Sequence, residues 1–305
     1  MIGDITHRSD VKTCFIINPR AGRHRNRTDV MKRAEAFLSV QGNEGRVMMT
    51  ERPAHARELA RSAVGEGFDR VVAVGGDGTM NEVASVLIGT PVAMGLVPRG
   101  SGNGLGRHLG IRHGDSHAFD VLQSGRILAI DTGVVNGVPF INAMGIGFDA
   151  EVSQRFNALT KRGFVSYLST AVRLFLSRKA VGCTVRAEGE GFSENAFLVA
   201  VANSDQYGND CIIAPGARLD DGLLDLTLIR EVGWLRAPGL GMRLFTRTLD
   251  RSPLVVRSRA AAFVIERMED GVVHTDGEVH HMGRRLDIAV RPASLRVMVP
   301  SDWNR

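Results

Sequence analysis

Three short stretches combine glycine with a hydroxyl, an amide or a carboxylate: NPRAG (Asn18 to Gly22), GGDGT (Gly75 to Thr79) and PRGSGN (Pro98 to Asn103). Glycine lets backbone N–H groups come close to a bound oxyanion. A helix that follows adds N–H groups without intrahelical partners and the positive end of its dipole. One such turn says little; three point to a ligand rich in phosphate. Asp77 then needs a reason, because a carboxylate beside phosphates repels them unless a cation or a transferable proton lies between. It is a candidate for contact with Mg²⁺, directly or through water, or for taking a proton from an attacking hydroxyl. The plainer reading is a cap for a helix that starts near Thr79. A second acidic pair, Asp276 and Glu278, lies in HTDGEV (His274 to Val279). A regular strand would put both on one face, whereas Gly277 permits a tight turn with solvated acids. No Walker A loop, G-x-G-x-x-G fingerprint, HExxH or GxSxG occurs.

The pattern around these stretches alternates. TCFIINP, GRVMMT, RVVAVGG and PVAMGLVP read as buried strands. Helical periods follow them, as in RTDVMKRAEAFLSVQG, with Val30, Ala34, Phe37 and Leu38 on one stripe, and in PAHARELARSAVGEG and MNEVASVLIG. That alternation predicts a Rossmann-like parallel α/β domain, with all three glycine turns at the carboxyl edge where such sheets bind ligands. Near residue 127 the pattern changes. RILAIDTGVVNGVPFINAMGIGF, GCTVRAEGE, ENAFLVAVANS, GLLDLTLIRE, VVRSRAAAFVIER, GVVHTDGEVH and LDIAVRPASLRVMVP read as strands of an antiparallel sandwich or distorted barrel. Helical insertions interrupt it at roughly 152–178 and 233–249. The expected domains are 1–127, with a tail at about 297–305 returning to the first, and 128–296.

Composition sets bounds. The 305 residues are 44% hydrophobic, enough for two cores, and carry 38 basic against 33 acidic side chains, a net charge of +5. That excess suits anionic small molecules or an anionic membrane surface, or simply a solvated exterior. Aromatic content of 6% with no basic stretch interleaved gives no support for a nucleic-acid platform, and no nucleic-acid partner is expected. Cys14, Cys183 and Cys211 are scattered and suit a reducing compartment. The N-terminus lacks the apolar core of a signal peptide and no stretch is long and apolar enough to span a bilayer, so a cytoplasmic protein with at most peripheral membrane contact is expected. A homodimer is compatible with all of this. RFNALTKRGFVSYLSTAVRLFLSRKA (Arg155 to Ala180) reads as a basic amphipathic helix, either on an anionic interface or packed on a sheet, with Phe164, Leu168, Ala171, Val172 and Phe175 on one stripe. GWLRAPGLGMRLFTRTLDRSP is a second helical piece, with Trp234, Leu240, Leu244 and Phe245, and the two could wall a greasy slot.

In this order and spacing, NPRAG, GGDGTMNE and PRGSGNGLGR resemble the catalytic domain of the diacylglycerol kinase and sphingosine kinase superfamily, the bacterial lipid kinases being nearest in size. IDTGVVNG (Ile130 to Gly137), INAMGIGFDAEV (Ile141 to Val152), APGARLDDGLLDL (Ala214 to Leu226) and HTDGEV extend the resemblance over nearly the whole chain. NAD kinases share GGDGT, but NPRAG and GSGN argue against them.

The resemblance implies an ATP- and Mg²⁺-dependent kinase acting on a lipid hydroxyl. Its nucleotide contacts here would be Asn18, Pro19, Arg20, Ala21 and Gly22; Thr50; Gly75, Gly76, Asp77, Gly78, Thr79, Met80, Asn81 and Glu82; and Gly100, Ser101 and Asn103. Thr50, taken alone, is equally a helix cap or a turn residue. The resemblance implies that Glu278 is the general base, with Asp276 the close second. It also implies a separate structural Mg²⁺ held by Asp221 and the carbonyls of Arg218 and Leu223, where DDG alone is merely a good turn. Two departures stand out. Ala21 replaces the usual serine of the first loop. Asn103-Gly104 replaces Asn-Asp, so one carboxylate of the usual acidic cluster is missing and diacylglycerol itself is less strongly implied. Asp131 remains as another inward carboxylate, with Arg107 as a partner for it. A kinase for a soluble acceptor such as NAD, and a nucleotide-sensing module without transfer, are the rival readings.

Overall fold

The computed structural model describes residues 11–22, 27–40, 43–111, 114–157 and 180–304. The chain forms two compact units, residues 1–130 with 293–305, and residues 131–292. The first is α/β, the second rich in antiparallel strands.

The first unit runs β1 (Val11–Ile17), α1 (Arg27–Leu38), β2 (Asn43–Met49), α2 (His55–Gly65), β3 (Arg70–Gly75), α3 (Asp77–Leu87), β4 (Ala93–Pro98), α4 (Gly104–His108) and α5 (Asp115–Ser124). The strands pair in parallel in the order β2-β1-β3-β4. Strands covered on both faces read as unbroken apolar runs rather than alternating ones. Cys14 to Ile17, Val71 to Val74 and Ala93 to Val97 are accordingly buried throughout. Ala56, Ala60 and Ala63 form the buried stripe of α2, and Met80, Val83, Ala84 and Leu87 that of α3. The third helix begins at Asp77, ahead of the expected Thr79, so half of the glycine-rich turn is its first turn.

The chain crosses to the second unit along β5 (Arg126–Val135) and returns along β17 (Arg285–Val299), whose Arg296 and Val297 pair in parallel with β4. Between them lie β6 (Val138–Phe140), β7 (Ala143–Gly147), α6 (Phe148–Asn157), β8 (Val181–Ala187), β9 (Glu190–Ala202), β10 (Gln206–Gly208), β11 (Cys211–Ile212) and β12 (Leu224–Arg230). They are followed by α7 (Ala237–Phe245), β13 (Val255–Ala260), β14 (Ala262–Arg267), β15 (Gly271–Thr275) and β16 (Glu278–Met282). The long β9 has three partners within one hydrogen-bonded sheet. Its second half lies between β7 and β12, and its first half pairs with β8, which continues to β14 and β17. Alternate residues point inward from both layers: Leu224, Leu226 and Leu228 from β12, Phe263 and Ile265 from β14, Leu286 and Ile288 from β17. On the other face of β9, Ala200 and Ala202 pack under Ile213, Leu249 and the Leu240 and Leu244 side of α7.

Three sequence segments read as strands divide further: RILAIDTGVVNGVPFINAMGIGF is β5, β6 and β7, and two others are each two strands. VVRSRAAAFVIER is β13 paired with β12 and β14 paired with β17, broken at Ala261. GVVHTDGEVH is the β15–β16 hairpin. Residues 158–179 of the expected basic amphipathic helix, with its apolar stripe from Phe164 to Phe175, lie outside the described residues.

Candidate active site

Each unit carries its own cluster. In the first, the parallel register brings the carboxyl ends of β1, β3 and β4 into line, and with them the three glycine-rich loops. Asn18 organises the first loop. Its Oδ1 accepts the Arg20 N–H (2.9 Å), its carbonyl the Ala21 N–H (3.1 Å), and its Nδ2 donates to Thr79 Oγ1 (3.1 Å) in the first turn of α3. Pro19 and Ala21 are partly exposed, and Arg20 and Gly22 exposed.

Asp77 is tied to the third loop. Its Oδ2 accepts the Asn103 N–H and its Oδ1 the Gly104 N–H, each at 2.8 Å. It therefore caps the start of α4 and makes no side-chain cap on its own helix. The buried Asn103 closes the same loop on itself, accepting the Gly100 N–H (3.0 Å) and donating to the Gly100 carbonyl (2.7 Å). Arg107 Nε adds a bond to the Gly102 carbonyl at 2.9 Å.

This packing explains two of the glycines without a ligand. A Cβ on Gly100 would stand 2.7 Å from Gly76 Cα, and one on Gly102 2.5 Å from Asp77 Oδ2. Gly78 differs: it is exposed, with open space where a side chain would be. The first closed turn of α3 is Met80 N–H to the Gly76 carbonyl (3.1 Å). The N–H groups before it, at Asp77, Gly78 and Thr79, are those a helix leaves for an anion.

The other expected contacts separate. Ser101 is exposed on its loop; Met80 is in the core, and Thr79 and Asn81 are buried. Thr50 follows β2 with its N–H on the Ile17 carbonyl (2.9 Å). Glu82 faces α2, where its carboxylate accepts the N–H groups of Ala54 (3.1 Å), Ala56 (3.0 Å) and Arg57 (3.4 Å). Residue 54, in the left-handed region, supplies no side-chain cap for α2, and Glu82 does so from α3. Local spacing carries no sign of this, because the acceptor and the helix it caps are 25 residues or more apart.

In the second unit, Asp276 (φ 50°) and Gly277 (φ 84°) form a two-residue turn with both φ positive, the type that matches strand twist. The turn separates the two acids. Asp276 points inward, where Ile141 N–H (2.7 Å), Asn142 N–H (2.8 Å) and Ala143 N–H (3.0 Å) all donate to it. Burial pushes its carboxyl up to about 6, against the pull of those three donors. Glu278 is exposed, paired in register with Thr275. Two histidines missed in the sequence complete the cluster. His280 Nε2 and Thr275 Oγ1 share a hydrogen bond of 2.8 Å, and His274 Nδ1 accepts the Gly277 N–H at 3.3 Å. Burial lowers the His280 pKa, with Glu278 opposing. The signal was available, since HTDGEVHH carries three histidines in eight residues.

Asp131 Oδ2 accepts the Gly222 N–H (2.7 Å), and Arg107 bonds the Gly102 carbonyl as described. At the DDG loop, expected to hold a structural Mg²⁺ through Asp221 and the carbonyls of Arg218 and Leu223, the Asp221 carboxylate is engaged by protein groups. Asp221 Oδ1 accepts the Leu223 N–H (3.1 Å) and Oδ2 is held by the Arg259 guanidinium. Arg259 also lies 3.3 Å from the buried Asp225, which bonds Arg257 at 3.0 Å. Two guanidinium groups, of Arg257 and Arg259, thus face the carboxylates of this loop. Among the described residues no cluster of three histidine, cysteine or acidic side chains could hold a metal. Burial pushes the Cys14 and Cys183 thiols up to about 12 and about 11, away from thiolate character.

Residues 12–135 match the diacylglycerol kinase catalytic domain, and residues 142–299 match the YegS C-terminal NAD kinase beta sandwich-like domain. A probable lipid kinase YegS-like protein of Pseudomonas aeruginosa is 31% identical over 294 residues, covering 92% of each chain. Another, of Citrobacter koseri, is 29% identical over 279 residues, covering 89% of this chain and 92% of its own. A solved putative diacylglycerol kinase from Bacillus anthracis superposes with a TM-score of 0.78 at 21% identity, over 96% of this chain and 98% of that one.

Proposed function

Because the chain belongs to the diacylglycerol kinase catalytic-domain family, we propose that it is an ATP- and Mg²⁺-dependent lipid kinase. It transfers the γ-phosphoryl group of ATP to the hydroxyl of a diacylglycerol, a sphingoid base or a related lipid. The observation that carries this reading is the anion-receptive edge of the first unit: the start of α3, open at Gly78, locked to the Asn103 loop by Asp77. Such a kit suits phosphoryl transfer, which asks chiefly for positioning and charge neutralisation.

The loops hold the ATP phosphates through main-chain N–H groups, so the loss of a hydroxyl at Ala21 removes a contact without removing the cradle. Mg²⁺, when bound, neutralises charge on the phosphates. Asp77 is the side chain to reach it, through lone pairs left beside its two N–H bonds. Glu278, exposed at the hairpin, takes the proton of the acceptor hydroxyl. The acceptor oxygen forms its bond to the γ-phosphorus, the bond from that phosphorus to the β–γ bridging oxygen breaks, and ADP leaves with the electron pair. Asp276 positions the hairpin by holding residues 141–143. The enzyme works in the cytoplasm and meets its acceptor at an anionic membrane face. No helix among the described residues is long and apolar enough to cross a bilayer.

The test is incubation with Mg²⁺, labelled ATP and a panel of diacylglycerols, monoacylglycerols, sphingoid bases, phosphatidylglycerol and NAD. Label in one lipid class is expected. Label appearing only in NADP overturns the lipid reading.

A further inference from the structure

The segment around α7 has apolar residues on both sides. Ala237, Leu240 and Leu244 pack onto the second unit's core. The opposite side faces water. Trp234 is 73% exposed, Leu235 74%, Met242 68% and Phe245 47%. Of the seven large hydrophobic side chains most exposed among the described residues, these four fall within twelve positions of chain. Leu235, Pro238, Met242 and Phe245 recur at helical spacing, so they form one stripe rather than scattered exposures. A helix apolar all round is normally buried, and a contiguous exposed stripe of this kind marks a contact surface.

Its charge indicates what it contacts. Residues 232–251 contain Arg236, Arg243, Arg247 and Arg251 against Asp250 alone. Arg236 and Arg247 are exposed at the two ends of the stripe. An exposed tryptophan beside aliphatic side chains, flanked by arginines, matches the headgroup–acyl boundary of an anionic bilayer. We propose that Trp234, Leu235, Met242 and Phe245 insert into an anionic phospholipid surface while Arg236 and Arg247 bind its headgroups. This rests on the lipid-kinase reading only for the reason to visit a bilayer; it names the surface that does so.

The test is co-sedimentation of the full chain with vesicles of phosphatidylcholine and phosphatidylglycerol, and of phosphatidylcholine alone. In parallel, transfer to a short-chain diacylglycerol below its micellar concentration is assayed. Trp234→Ser with Leu235→Ser should lower partitioning into mixed vesicles by about tenfold or more. Arg236→Gln with Arg247→Gln should lower binding to the mixed vesicles several-fold and leave binding to phosphatidylcholine alone unaltered. If the wild type phosphorylates no lipid yet binds vesicles through Trp234 and Leu235, the kinase reading fails and the anchor stands. Equal binding by wild type and the Trp234–Leu235 variant overturns the anchor, as does a wild type that binds no vesicle. A lipid-free wild-type dimer that the same substitutions dissociate, with vesicle binding unchanged, would assign the stripe to a second copy. The chain has two tryptophans, and Trp303 is buried. In a Trp303→Phe protein the emission of Trp234 should shift to the blue on anionic vesicles, so a variant that fails to fold does not decide the matter. Water-like emission from vesicle-bound protein overturns the insertion.

Discussion

Asp77-Gly78 and Asp276-Gly277 are the same dipeptide at two chain reversals, and both aspartates hold main-chain N–H groups of a distant segment. They differ in what surrounds the clamp. Around Asp77 the neighbours are glycines and helix starts, so the chemistry there belongs to the main chain. Around Asp276 they are Glu278, His274, His280 and Thr275, so the chemistry belongs to side chains. Under the proposed mechanism this contrast assigns phosphate binding to peptide groups and proton acceptance to a side chain. It also predicts that the two carboxylates of HTDGEV fail in different ways when removed.

The largest expected effect is at Glu278. Glu278→Gln should lower turnover by roughly 10²- to 10⁴-fold while the melting temperature and ATP affinity stay put, because an exposed base acts in the transition state. Asp276→Asn should instead lower the melting temperature, because one amide oxygen cannot satisfy three donors and its NH₂ faces N–H groups. If Asp276→Asn abolishes turnover at an unchanged melting temperature and Glu278→Gln retains activity, the two roles are reversed. Measured turnover and thermal melts of both variants decide it.

Asp77→Asn comes next. Losing the carboxylate should cost roughly 10²-fold or more in rate, and unpairing a loop N–H should destabilise the fold by about 1–3 kcal/mol. Both losses should therefore appear together, with a raised KM for ATP as the Asn103 loop loosens. A variant with normal turnover but a lowered melting temperature would reduce Asp77 to a loop clamp.

What the sequence could show follows from how far each signal reaches. Parallel strands and helices were legible because TCFII and VVAV are buried by their own composition, and the change to alternating strands near residue 127 marked the second architecture. Partners of side chains were not legible. Glu82 reads as part of GGDGTMNE yet caps α2, and Asp276 reads as the second candidate for the base yet closes on residues 141–143. Both contacts depend on tertiary pairing, which local spacing does not encode. The histidines beside Glu278 were visible as letters, but their relation to Thr275 needed the register of the hairpin.

A pH experiment sharpens the clamp at Asp276. Its carboxyl is raised from an ordinary 3.8 to about 6 by burial. The folded state therefore holds a proton that the unfolded state has already released between those values. The stability from this group is present below the unfolded pKa and is lost as pH rises through about 6. The Asp276→Asn variant has no such titration, so the melting-temperature advantage of wild type over it should narrow between pH 4 and pH 7. A constant gap would mean that the carboxyl titrates alike in both states.

The smallest effect concerns a third aspartate. Asp221 is clamped by a side chain, Arg259, as well as by the Leu223 N–H. With a guanidinium already at the carboxylate, removal of divalent metal should leave the wild-type melting temperature within about a degree, since nothing is linked there for a chelator to take away. Arg259→Gln removes that charge and leaves Asp221 and Asp225 facing each other with Arg257 alone. The variant should melt lower, and added Mg²⁺ should recover part of the loss, because a hard cation suits the vacated carboxylate. Thermal melts of both proteins with chelator and with Mg²⁺ check this. A wild-type protein that chelator destabilises would put a metal at the loop after all, and would remove the contrast between an aspartate held by arginine and the two held by peptide groups.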